Sequence, residues 1–199
     1  MKLGWLIALN VAVCTVLCGL CIAYVDKPTA LFVAQNVTFK LPFQAMAAPS
    51  LLALPLSLIF LAIAAIRASL GQMPLPQHSL YLRLSLATLA ATAAKDELKW
   101  LFGRSWPGSL IHYNIYAFAP FASSPLYGGF PSGHTAYISA PLLLLCALKP
   151  HYTPVWLTII ALVMTGLIGG GYHFPGDTIA GLFTGLASAA GVWGLMRGV

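Results

Sequence analysis

Two histidines in this chain stand in company that suits acid–base or nucleophilic chemistry. His134 lies in Phe130-Pro131-Ser132-Gly133-His134-Thr135-Ala136, directly ahead of an apolar run that continues to Leu148. Pro131 and Ser132 are helix-start residues, and the serine hydroxyl can cap the first free amides. The unpaired N–H groups and positive dipole end of such a start suit a phosphate. Gly133 lets the backbone approach it closely, and His134 sits where it can exchange a proton with what is bound. His173 lies in Gly171-Tyr172-His173-Phe174-Pro175-Gly176-Asp177, where Asp177, four residues on, can accept the ring's other N–H. A third stretch, Lys99-Trp100-Leu101-Phe102-Gly103-Arg104-Ser105-Trp106-Pro107, adds two cations, Lys99 and Arg104.

Each stretch also has an ordinary structural reading. Pro-Ser-Gly-His is a capped helix, a histidine between Tyr172 and Phe174 is an interfacial anchor, and Asp177 is an acid in a first helical turn. Lys99 can pair with Asp96, three residues back. Against that, Lys95 and Lys99 stack as like charges one turn apart, an arrangement that an anion between them relieves. A metal site is a poor alternative. His134, His173 and Asp177 can ligate zinc, but no paired-histidine helix motif is present and a ligand role leaves Lys99 unexplained. No metal and no cofactor are expected.

The elements that must hold these residues are membrane helices. Hydrophobic residues make up 59% of the 199, charged residues 7%, and the mean hydropathy is +0.86, which excludes an ordinary water-soluble domain. The expected architecture is all-α, a single transmembrane domain over residues 1–199 with about six spans of roughly 20 residues each. Spans are expected over residues 3–25, 49–66, from Arg83 to the charged block at 95–99, 133–148, 155–168 and 177–196. Residues 26–48 read as a segment on the membrane surface, and 103–130, rich in tyrosine and phenylalanine, as a loop at headgroup level. The net charge of +6 does not point to nucleic acid, because the basic residues are scattered among apolar runs. Cys14, Cys18 and Cys21 on the first helix, and Cys146 on another, read as packing residues. One side of the membrane collects Lys2, Arg67, Arg83, Lys149 and Arg197, the other Lys27 and Lys40 plus the motif cations. The positive-inside rule then puts both termini in the cytoplasm and the motifs on the periplasmic face of a bacterial-type inner membrane.

Together and in this order, the three stretches resemble the signature of the type 2 phosphatidic acid phosphatase superfamily, whose membrane members remove phosphate from lipid phosphates and diphosphates. The resemblance covers roughly residues 99–181. It implies His173 as nucleophile through a transient phosphohistidine, Asp177 as holder of its tautomer and His134 as the proton donor to the leaving group. It also implies that Lys99, Ser132 and Gly133 bind the phosphate. Two arginines of the family pattern are replaced, by Trp106 before Pro107 and by Leu167 six residues before His173. Arg104, with its planar fork, is the expected substitute for at least one of them. The implied substrates are polyprenyl diphosphate, phosphatidylglycerol phosphate, phosphatidic acid or lipid A phosphates. A lipid phosphotransferase and a catalytically inactive lipid-binding or assembly subunit remain as alternatives.

Overall fold

A backbone in lipid finds no water to bond, so apolar runs fold as helices, which satisfy their own N–H and C=O groups within one segment. The computed structural model describes residues 2–196, and among these only two isolated antiparallel bridges, Arg104 with Phe118 and Ser105 with Tyr127, are not helix, turn or irregular chain. In order the helices are α1 (Lys2–Leu20), α2 (Asp26–Asn36), α3 (Leu41–Ala47), α4 (Ser50–Ser69), α5 (His78–Phe102), α6 (Pro107–Tyr113), α7 (Gly133–Leu148), α8 (Thr153–Gly169) and α9 (Pro175–Leu195). A π-helical turn, Cys21–Val25, joins α1 to α2, and a 3₁₀ turn, Pro150–Tyr152, precedes α8.

Among the described residues, four stretches are long and apolar enough to cross a membrane: Ile7–Asn36, Leu41–Ser69, Pro150–Gly169 and Pro175–Leu195. The chain is thus a polytopic membrane protein, with α7 a shorter apolar helix. Helix α5 is 25 residues long but carries Lys95, Asp96, Glu97 and Lys99 in its last two turns. Arg197 and the side chain of Lys2, both in the charge tally, lie outside the described residues.

Helix α7 is the centre of the bundle and packs against α9, α5, α8 and α4. Its inner face, Ala136, Ala140 and Leu144, is fully buried with Ala87 and Ala91 of α5 and Ala189 and Val192 of α9. Small residues let these helices approach closely, which is how helices associate where lipid removes the hydrophobic drive. A Cβ on Gly181 would stand 2.5 Å from the Ser132 carbonyl oxygen, and one on Gly185 would stand 2.0 Å from Ser139 Oγ. Gly181→Val is therefore expected to force α7 from α9 and cost about 1 to 3 kcal/mol, read as a lower midpoint in thermal unfolding. Gly191→Ala, with nothing within 4 Å, serves as the neutral control.

Three expectations about the elements need correction. Residues 26–48 are not one separate segment: the π turn carries the first helix on to Asn36, and Asp26 is wholly buried. Helix α3 instead lies on α8, where Gly166 and Gly169 present no side chain and admit Phe43 and Ala47. The stretch 103–130 is also not purely loop, since Pro107 starts α6 within it, and α5 begins at His78, before Arg83.

Candidate active site

The C-terminal ends of α5 and α8 and the N-terminal ends of α7 and α9 meet at one end of the bundle, and every motif residue is there. Helix α5 stops at Gly103, whose φ of +53° belongs to the left-handed region, and a Cβ there would stand 1.8 Å from the Ala119 carbonyl oxygen. Only glycine fits, and the turn sends Arg104 inward against Phe118. Helix α7 starts at Ser132, whose Oγ accepts the Thr135 N–H at 3.4 Å, as a cap should. The Ser132 N–H donates to the Asp177 carbonyl at 2.9 Å, which locks the starts of α7 and α9 together.

His173 stands two residues before α9 and is 5% exposed. Its Nδ1 lies 3.4 Å from Asp177 Oδ2, and the same oxygen accepts the Phe174 N–H at 3.0 Å. A carboxylate only accepts, so this contact calls for a proton on Nδ1. Arg104 completes the other side of Asp177, with Nη1 donating to Oδ1 at 2.6 Å. Its Nη2 donates to Asp26 Oδ2 at 2.7 Å and to the Tyr116 hydroxyl at 3.0 Å. Burial opposes the guanidinium charge, but the Asp177 and Asp26 carboxylates more than offset it and hold Arg104 above its ordinary pKa.

Above this buried layer opens a cavity of about 520 Å³. Lys95, Lys99, Gly133, His134 and His173 line its polar side, while Ala47, Leu51, Tyr137 and Leu167 line its apolar side. Lys99 sits over the Trp106 ring at 4.6 Å and donates to the Gly128 carbonyl, and Lys95 pairs with Asp96. The Trp106 ring lies 5.2 Å from that of His173 and gives its Nε1–H to the Tyr127 carbonyl. On the far rim, Gln44 of α3 donates to the Tyr172 hydroxyl at 3.1 Å. Two lysines, a helix start and two histidines thus share one space, with an apolar wall beside them.

Of the residues singled out from sequence, Lys99, Gly133, His134 and His173 face the cavity, while Ser132 and Asp177 are buried behind it. Arg104 is not on the cavity: it is 1% exposed and both its Nη atoms are taken by carboxylates, so it does not stand ready to grip a phosphate as expected. The reason is Gly103, which turns the chain under the site instead of along its rim. Trp106 and Leu167 both lie in the cavity wall. Sequence reasoning missed Asp26 and Tyr116. The signal for Asp26 was an acid at the end of a long apolar run, since a carboxylate in lipid needs a partner; nothing marked Tyr116 among its aromatic neighbours.

Comparison with known proteins places this geometry. The model of the PAP2 superfamily matches residues 80–198. Over 89 residues the chain is 36% identical to a lipid A 1-phosphatase of Rhizobium johnstonii and 35% identical to one of Rhizobium etli. That stretch is 44% of this chain but only 36% and 38% of those proteins, so the chain spans less than two fifths of the length of the curated relatives it matches. The fold resembles the crystal structure of a transmembrane PAP2-type phosphatidylglycerolphosphate phosphatase from Bacillus subtilis. Its TM-score is 0.54 at 17% identity, over 94% of this chain and 96% of that one. Lys99, His134, His173 and Asp177 all fall inside the matched residues and around one site, and the chain belongs to the PAP2 superfamily.

Proposed function

We propose that this protein is an integral membrane phosphatase that hydrolyses a lipid phosphate or lipid diphosphate through a phosphohistidine on His173. The observation that carries the reading is the shared cavity, where His173, held by Asp177, lies with His134 and two lysines. In the first step His173 Nε2 attacks phosphorus and the bond to the lipid oxygen breaks. His134 gives its proton to that oxygen, and the neutral lipid alcohol, or the lipid monophosphate from a diphosphate, departs. In the second step neutral His134 takes a proton from water, which attacks the phosphohistidine and releases inorganic phosphate. Lys99, Lys95 and the Gly133 amide offset the charge on the equatorial oxygens. Relatives that act on lipid A support a lipid substrate, and so does the apolar wall of Ala47, Leu51 and Tyr137, which suits the start of an acyl or prenyl chain.

In this reading α5 and α7 complete six spans, the charges of α5 and the shortness of α7 tolerated because neighbouring helices cover them. The charge tally then sets the cavity end on the periplasmic side of the inner membrane. The test is phosphate release by purified protein from a panel of lipid phosphates and diphosphates. Turnover should persist in EDTA and stop with vanadate, which mimics five-coordinate phosphorus; loss in EDTA with recovery on adding zinc would sink the phosphohistidine route. Lys99→Ala should lower kcat/KM about thirtyfold, the worth of about 2 kcal/mol for a charge-assisted bond. An unchanged kcat/KM would remove Lys99 from the phosphate site.

A further inference from the structure

We propose that Asp26 is a positioning residue for His173, acting through Arg104 and Asp177, which makes the first helix of the chain part of the active site. The inference rests on the phosphatase reading for its consequence, but its geometry stands separately. Asp26 lies outside residues 80–198, the part of the chain that the superfamily pattern covers. It nevertheless sits two residues' bonding distance from the nucleophile: Asp26 Oδ2 to Arg104 Nη2 is 2.7 Å, Arg104 Nη1 to Asp177 Oδ1 is 2.6 Å and Asp177 Oδ2 to His173 Nδ1 is 3.4 Å. Its second oxygen accepts the Gly176 N–H at 2.8 Å, one residue before Asp177.

The backbone is shaped for this contact. In an unbroken α-helix Asp26 would stand about 80° around from Cys18, whose side chain is buried against Phe130 and Ala180. The π turn at Cys21–Val25, in which the Asp26 N–H bonds the Cys21 carbonyl, inserts one residue and brings Asp26 to within about 20° of that inward stripe. The widened turn also leaves the Ile22 carbonyl free to accept the Tyr116 hydroxyl at 2.8 Å, and Tyr116 in turn accepts from Arg104. On the other side, a Cβ at Gly176 would stand 2.7 Å from Asp26 Oδ2, so the approach needs glycine there.

Charge explains what the contact does. Asp26, Arg104 and Asp177 are 0%, 1% and 0% exposed, and a buried ion triad is a poor way to hold helices together compared with apolar packing. Two carboxylates around one guanidinium leave the cluster with one net negative charge. Arg104 alone would draw electron density from Asp177 and weaken its acceptance of the His173 Nδ1–H. Sharing Arg104 with Asp26 keeps Asp177 a strong acceptor, which stabilises the positive ring that forms when Nε2 bonds phosphorus.

The experiment compares native protein with Asp26→Asn in two readouts. Turnover of lipid phosphate should show kcat reduced tenfold or more with KM within threefold, because Asp26 touches no substrate. Nitrogen-15 histidine NMR should show the His173 ring titrating at lower pH than in the native protein, since a negative charge has been removed. The groups facing that ring are otherwise unchanged: Asp177 from α9, Lys95 and Lys99 from α5, His134 from α7 and Trp106 before α6. Asp26→Glu keeps the charge and should return the titration towards native. If Asp26→Asn does not fold, Tyr116→Phe loosens Arg104 with both carboxylates still paired and should lower kcat threefold or more. A residue that only staples α2 to α9 would lower the melting temperature and leave kcat per folded molecule and the His173 titration at native values, which would overturn the proposal. Should the native chain release no phosphate while the titration shifts, the phosphatase reading fails and the positioning role stands.

Discussion

His173→Ala releases no inorganic phosphate from any lipid phosphate, while its yield in the membrane and its unfolding temperature stay near those of the native protein. The expected loss in kcat is on the order of 10⁴-fold or more, because no other group in the cavity replaces a covalent nucleophile. The fold survives because Asp177 keeps its remaining donors, the Phe174 N–H and Arg104 Nη1, so no buried carboxylate is left without a partner. His134→Ala behaves differently. With a nitrophenyl phosphate, whose leaving group departs without a proton, its first step survives in part and the variant accumulates a phosphoenzyme that the second step clears slowly. Native-level phosphate release from His173→Ala would rule out the assigned nucleophile, and equal losses for both histidine variants on both substrates would rule out the division of roles.

Arg104→Ala produces the largest loss of stability. The substitution strands Asp26 and Asp177, both fully buried, and removing one side of a buried ion pair costs about 3 to 5 kcal/mol. Little folded protein should be recovered, and what is recovered should unfold at much lower temperature in detergent. Arg104→Lys restores charge but not the fork that reaches two carboxylates and Tyr116 at once, so it should fall between. Trp106→Arg on the Arg104→Ala background should not recover stability, because Trp106 faces the cavity. An Arg104→Ala protein with native thermal stability would show that the triad carries no structural weight.

Much of the site follows from local rules. The Pro-Ser-Gly start of α7, the capping by Ser132 and the i, i+4 pairing of His173 with Asp177 depend on residues within one turn of each other, so helix geometry settles them. The apolar runs likewise required helices, because lipid offers the backbone no other partner. The gathering of Lys99, Gly133, His134 and His173 on one cavity was expected from their motifs and is what the structure has. Arg104 is the instructive case. Its residue type announced a cation near phosphate, yet its partner is Asp26, 78 positions away. A charge states what it needs but not which helix will supply it. That choice was made by the left-handed turn at Gly103, the extra residue in the π turn before Asp26 and the bare backbone at Gly176. The same holds for α3, whose place on α8 depends on Gly166 and Gly169 having no side chains where Phe43 and Ala47 arrive. By itself the sequence determined the class, the helices and the two histidines, because these rest on composition and on contacts within a turn. Only the tertiary structure decided that Arg104 points beneath the histidine instead of into the cavity, because that depends on which helix ends cross and how closely their backbones meet.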